Sequence, residues 1–361
     1  MIGGASRSAG HTVTFNGLTD GNRRYLSLDA TYIPCSANPR NPSNNKDITQ
    51  ISFTMRQLTR TLFFTFSVML LATSCQPFFD DLSKCKTPRL HFTYTADGTD
   101  NVLEKHIEHG ELFVYDESGN LYLSQKLHHM DLRDGVTLKD IHSGKWTLVA
   151  WGNPNSATDV KAPKSISAGS VTALPDKEGI YRTSDSLYYA ECVLDFSKLK
   201  GEDVEVPFSS AHVSLDVVVK GFDAVYPGQK PQLKAAPAGT RYSIAGYKGG
   251  IPMPTELKPY LPNLGHSASD DMYRARFDLL RIDNEAGFTL SLLNADDAAA
   301  APYVSLSLPD YVAKHNIPLK GRHEVEIPVL IKFEKKAGDL AINITPFVWG
   351  SINIKPDGFK K

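Results

Sequence analysis

His106, His109 and Glu111 bring two imidazoles and a carboxylate, side chains that bind divalent metals, into one short stretch. A tetrahedral site needs further ligands at workable spacing, and none follows. The stretch leads into a strand, so both histidines are expected at the surface. His128 and His129 are neighbours, and an extended chain turns neighbouring side chains to opposite faces, so one at most could join a site. No Gly-x-Ser-x-Gly elbow, phosphate-cradling glycine loop or His-Glu-x-x-His helix occurs. Scattered carboxylates permit a glycosidase pair on paper, but the separation that would make one real is a property of the fold. The expected set of catalytic residues is none, with no metal, cofactor or small-molecule substrate. Three tryptophans, Trp146, Trp151 and Trp349, could stack on sugars. Trp146 is in register with Leu148 and belongs to a core face. Trp151 falls on the opposite face beside Gly152-Asn153, which makes it the candidate glycan contact, with packing at a core or edge as the alternative.

The cysteine with the clearest chemistry is Cys75. Met55-Arg56-Gln57-Leu58-Thr59-Arg60 is basic, Leu62 to Ala72 is apolar, and Leu71-Ala72-Thr73-Ser74-Cys75 ends the run. That order is the order of a secretory signal peptide, and the apolar run is too short for a bilayer core of ~30 Å. Its last five residues resemble a bacterial lipobox, whose cysteine receives a diacylglycerol. Several acyl chains hold a protein firmly where a single chain binds marginally. Gln76 is not the aspartate that keeps some lipoproteins at the inner membrane. Asp80 and Asp81 supply early acidity of the kind seen in surface-exported lipoproteins of Bacteroidetes.

A signal peptide works at an N-terminus, so Met55 is the expected start of translation. Residues 1–54, rich in Asn, Ser, Thr and Gly, are then a mis-assigned or disordered extension. Residues 55–74 form the signal peptide and 75–87 a lipidated linker. Cys85 and Cys192 remain in the mature chain, and export permits a disulfide between them if their Cα atoms lie within about 7 Å.

These groups must be carried by a folded body. The chain has 361 residues, 41% of them hydrophobic and 22% charged, with a formal net charge of -1. That length suits two or three domains, and near-neutral charge excludes the basic face of a nucleic-acid coat. Period-two alternation in short runs, punctuated by Gly, Pro, Asn and Asp, predicts half-buried strands. Leu112 to Tyr115 and Leu121 to Leu123 flank Asp116-Glu117-Ser118-Gly119-Asn120 as a hairpin. Alternation returns over 211–217, 288–292, 304–308, 325–333 and 340–344. Asp310 to His315 is expected to form a short helix with Asp310 as its N-cap. Crossover helices are missing, so the fold class is all-β, as sandwiches. The division falls near Ser209, giving domains over 88–208 and 209–361, and the Pro- and Gly-rich stretch 221–270 is expected to be surface loops.

The same residues form a recognisable set. Asp80 to Cys85 followed by Leu90-His91-Phe92-Thr93-Tyr94 resembles the start of mature fimbrial anchor lipoproteins. Glu111 to Tyr122 is similar to that family's first hairpin. Gly144-Lys145-Trp146-Thr147-Leu148-Val149-Ala150-Trp151-Gly152-Asn153 is the most specific likeness, and Val325 to Phe333 and Ile344 to Trp349 agree more loosely. The family is that of the fimbrillin-associated anchor proteins of Bacteroidetes type V pili, and the resemblance spans residues 55–361.

The resemblance implies two tandem transthyretin-like, Greek-key sandwiches at the cell surface. It also implies an outer-membrane lipid anchor through acylated Cys75 and a fimbrillin stalk subunit as partner. In such pili an extended segment of one subunit completes a groove in the next, by backbone hydrogen bonds and alternate side chains. An anchor that keeps its lipidated start must present its other end. The expected donor strand lies in Leu340 to Lys355, with Leu340, Ile342 and Ile344 on one face and Ile352 and Ile354 later. Ordinary strands of the second sandwich are the alternative. A lipidated surface adhesin or glycan-binding accessory subunit is the rival function.

Overall fold

The computed structural model describes residues 88–348, apart from 140, 142, 200–201, 247–253, 283–286, 298 and 337. Cys75, Cys85, Ile352, Ile354 and the expected extension, signal peptide and linker lie outside the described residues.

The alternating runs of the first half become β1 (Arg89–Thr93), β2 (Gly110–Tyr115), β3 (Leu121–Leu127), β4 (Val136–Thr137) and β5 (Lys145–Gly152). Five more follow: β6 (Thr158–Lys161), β7 (Ser170–Ala173), β8 (Tyr188–Asp195), β9 (Val204–Pro207) and β10 (Ser209–Ser210). A three-stranded sheet, β4-β1-β9, faces a five-stranded one, β10-β8-β5-β2-β3. Leu90, Phe92, Leu112, Val114, Leu148 and Val204 are among the apolar side chains between them. The β2–β3 hairpin is the expected one. Asp116 Oδ1 accepts the Asn120 backbone N–H at 2.8 Å, and Gly119 holds the left-handed conformation, φ +78°, that closes the loop.

The second sandwich is built from β11 (His212–Lys220), β12 (Pro231–Ser243), β13 (Pro254–Tyr260), β14 (Gly265–Ser267) and β15 (Met272–Leu280). It is completed by β16 (Thr289–Asn294), β17 (Val304–Ser307), β18 (Glu326–Lys336) and β19 (Asp339–Thr345). One sheet runs β14-β15-β11-β18-β19, with β11 and β18 parallel; the other runs β17-β16-β12-β7-β6, with β13 pairing β12. Leu215, Val217, Leu233, Phe277, Leu290 and Val329 lie in the core between the sheets. The all-β expectation of two tandem sandwiches holds.

Three expectations need correction. The stretch 221–270 is not a set of loops: it holds β12, a strand of 13 residues, with β13 and β14. Three of its prolines sit where a ladder tolerates them. Pro231 and Pro254 open their strands, and Pro237 lies in the register break between Ala235 and Ala238. Gly239 marks a close approach, because a Cβ there would stand 2.0 Å from the Tyr242 hydroxyl.

A second expectation, two sandwiches divided near Ser209, has to accommodate β6 and β7: both precede Ser209, and Ala173 of β7 lies in the second core. Arg241, Tyr242 and Ser243 of β12 pair with Thr172, Val171 and Ser170 of β7, so a hairpin from the first half completes a sheet of the second sandwich. Alternation reports which face is buried, not which sheet a strand joins. The third correction concerns the helix between β17 and β18, which spans Leu308–Lys314. Ser307, not Asp310, is its N-cap, its Oγ accepting the Asp310 N–H at 3.4 Å, and Pro309 fits the first turn.

Candidate functional site

The two sandwiches meet along an apolar seam and a polar one. Phe113, Tyr115, Val149, Trp151 and Tyr189 project from the five-stranded sheet away from its own core. They pack against Val171, Tyr242, Ile244 and Leu280. Both faces of β2, β5 and β8 are therefore buried along this stretch.

The Trp151 expectation falls here. Its side chain is 1% exposed, its indole N–H donates to the Ile244 carbonyl at 3.0 Å, and its ring lies 4.8 Å from that of Tyr189. No face of the indole is presented to a sugar. The sequence placed Trp151 on the correct side of β5, but the second sandwich covers that side.

The polar seam gathers residues that, His106 and Tyr94 apart, the sequence did not single out. Glu324, just before β18, accepts the hydroxyls of Tyr94 and of Tyr188, the latter at 3.1 Å, and pairs with His106 Nδ1 at 3.3 Å. Asp97 accepts the His323 backbone N–H at 2.8 Å and pairs with Arg322 at 3.3 Å. Arg281 is 4% exposed and donates to the carbonyls of His212, Leu319, Arg322 and His323. Burial holds its pKa below the usual guanidinium value and pushes that of His323 down too. Among the residues not singled out, Arg281 carries a sequence signal, as a lone charge in Leu279-Leu280-Arg281-Ile282.

A cavity of about 520 Å³ opens beside this seam, with Lys105, His106, Asn153, Ser186, Arg276 and Asp278 in its wall. Many of its polar groups are engaged with one another. Ser186 and Ser214 both donate to Asp278, and Asn153 bonds the backbone of Glu108 and His106. His109 contacts the Pro154 carbonyl at 2.8 Å, so the two histidines of the His-x-x-His pair are spent on different partners. Among the described residues no cluster of His, Cys, Asp and Glu could hold a metal ion.

Burial raises the pKa of several tyrosines, and the sign of the pH dependence follows. Desolvation, then the hydrogen bond to Glu324, holds the Tyr94 phenol well above its ordinary value. Desolvation does the same to Tyr188, with the charge of Glu324 adding to it. Desolvation alone pushes Tyr115 up to about 12. Unfolded tyrosines ionise near ~10. The stability these phenols contribute is therefore complete below that pH and is lost as pH rises through their folded values. Thermal melts taken from neutral pH upward are expected to show a flat Tm to about pH 10 and a progressive fall above it. A Tm unchanged to pH 11.5 would contradict the buried phenols.

Cys192 lies on β8 opposite Leu148 of β5 and is buried in the first core. Its expected partner, Cys85, is outside the described residues. Leu340, Ile342 and Ile344 lie on β19, which ends its sheet among the described residues. Ile342 and Ile344 pack on the second core, while Leu340 is 44% exposed. Beyond β19, Phe347 is buried against Val218, Met272 and Leu330.

The geometry defines a class: a two-sandwich all-β protein with polar and apolar domain seams, in which β19 is an edge strand among the described residues. Solved structures share this fold. A candidate adhesin from Bacteroides ovatus matches at a TM-score of 0.58 with 16% identity, over 73% of this chain and 94% of that one. The fimbrial anchor protein Mfa2 from Porphyromonas gingivalis matches at 0.55 with 13% identity, over 72% and 98%. A candidate polysaccharide-binding protein from Bacteroides thetaiotaomicron matches at 0.55 with 11% identity, over 73% and 99%. At such identities the likeness is one of fold. No curated protein matches by sequence.

The family model of the fimbrillin-A associated anchor proteins Mfa1 and Mfa2 matches residues 82–355, and the chain belongs to that family. It is thus a fimbrial accessory protein associated with the cell surface, in a family of anchors and not of enzymes. Among the described residues no helix is long and apolar enough to cross a membrane.

Proposed function

We propose that this chain is an outer-membrane lipoprotein that anchors a type V pilus by holding its first stalk pilin. The family match over residues 82–355, beginning shortly after the lipobox cysteine Cys75, carries this reading. Lipid on Cys75 supplies the foot. The two sandwiches, tied by their seams and by the shared β6–β7 hairpin, supply a stiff body. The C-terminal region of the second sandwich supplies the contact to the stalk by strand donation. Backbone pairing gives such a joint its continuity, and alternate apolar side chains give it specificity. The glycan-binding alternative leaned on Trp151, whose burial removes its support.

The test is Cys75→Ala in the native host, read by membrane fractionation and by labelling with a palmitate analogue. The label is expected to disappear, and both the protein and its pili are expected in the medium. Unchanged membrane retention would end the reading.

A further inference from the structure

The geometry points to Phe347 as a mooring: β19 stays in its own sheet, and only the chain beyond Phe347 is passed to the stalk. This inference rests on the strand-donation reading and narrows it. β19 is a poor candidate for release. All seven of its residues, Asp339–Thr345, are in register with β18. Ile342 faces Phe333 and Ile344 faces Ile331, on the side that closes the second core. Withdrawing the strand would open that core to water and orphan the β18 edge, a cost set by apolar area as well as by hydrogen bonds.

Beyond β19 the chain runs on over the outer side of the sheet, the side to which Thr345 already points. Thr345 is paired with Leu330, and two residues later Phe347 is 7% exposed against Leu330, Val218 and Met272. Those three belong to β18, β11 and β15, and Val218 lies on the opposite side of β11 from the core residues Val217 and Val219. The chain thus crosses over β18 and seats an aromatic plug on the outside of the sheet. Val348, the next residue, is 74% exposed.

A pull on the chain beyond Val348 would otherwise act on the Thr345 end of β19 and peel its ladder from β18 one bond at a time. With Phe347 seated, the load enters three strands together. Phe347 is a positioning residue in this scheme, not part of the joint itself.

The test uses the full-length lipoprotein in piliated cells under graded shear, with the ectodomain's amide exchange measured in parallel. Truncation after Val348 is expected to shed pili at rest while leaving the melting temperature unchanged. Phe347→Ala is expected to keep pili at rest, shed them several-fold more readily under shear, and speed exchange at Ile344 and Thr345. Phe347→Leu, which refills the seat, is expected to restore both. If Phe347→Ala sheds no more than the parent while the truncation does shed, the mooring is wrong and donation stands. If the truncated protein still holds its pili, strand donation by this segment is wrong, and the mooring falls with it.

Discussion

Trp151→Ala is expected to lower the stability of the ectodomain by about 3–5 kcal/mol, the range for emptying a large aromatic site in a core. The side chain is 1% exposed and sits where the outer face of β5 meets the second sandwich. Truncation removes contacts with both domains at once and leaves a void between packed sheets, which relax only in part. It also orphans the Ile244 carbonyl, which now receives the indole N–H at 3.0 Å. For domains of this size the Tm should drop by roughly 10 °C. Trp151→Phe, which keeps the ring but loses the donor, should cost less than half as much. Calorimetry of the three proteins checks this. An alanine variant that melts with the parent would mean the seam does not hold the sandwiches together.

The second large effect is expected at Asp216. This carboxylate is 0% exposed on β11 and is held by both forks of Arg274, Nε at 2.9 Å and Nη2 at 2.8 Å. Arg274→Ala leaves a buried charge without its partner, a loss of about 3–5 kcal/mol. Asp216→Ala should be comparable, with the guanidinium at 20% exposure better able to reach water. The double replacement Asp216→Leu/Arg274→Met should come much closer to the parent, because the penalty in the single variants is mostly that of the orphaned partner. Chemical denaturation of the four proteins forms the cycle that separates these terms. A double variant as unstable as the worse single one would show instead that the pair itself is strongly attractive.

The strands were legible because each has one face toward a core, and burial of alternate residues leaves a period of two in the sequence. β2, β3, β5, β11 and β16 to β19 all lie where alternation or apolar runs predicted. β12 and β13 were not legible. Three of their prolines and Gly239 serve strand starts, a register break and a close approach to Tyr242, and the same residue types punctuate loops. Trp151 shows the limit for sites. The sequence assigned it to the face of β5 away from the first core, and that is correct. Whether that face meets water or another domain is not written in the alternation of β5.

The sequence by itself determined the class of fold, the motif at Cys75 and the family, because these depend on local order: basic, apolar and small residues before a thiol, and short runs of alternating character. Only the tertiary structure decided that β6 and β7 complete the second sandwich, that Glu324 and Asp97 tie the domains, and that Phe347 crosses the sheet after β19. The reason is physical. Glu324 lies 136 residues from Tyr188 and 230 from Tyr94, and a hydrogen bond leaves no mark on the spacing of its partners when the fold, not the local chain, brings them within 3 Å or so.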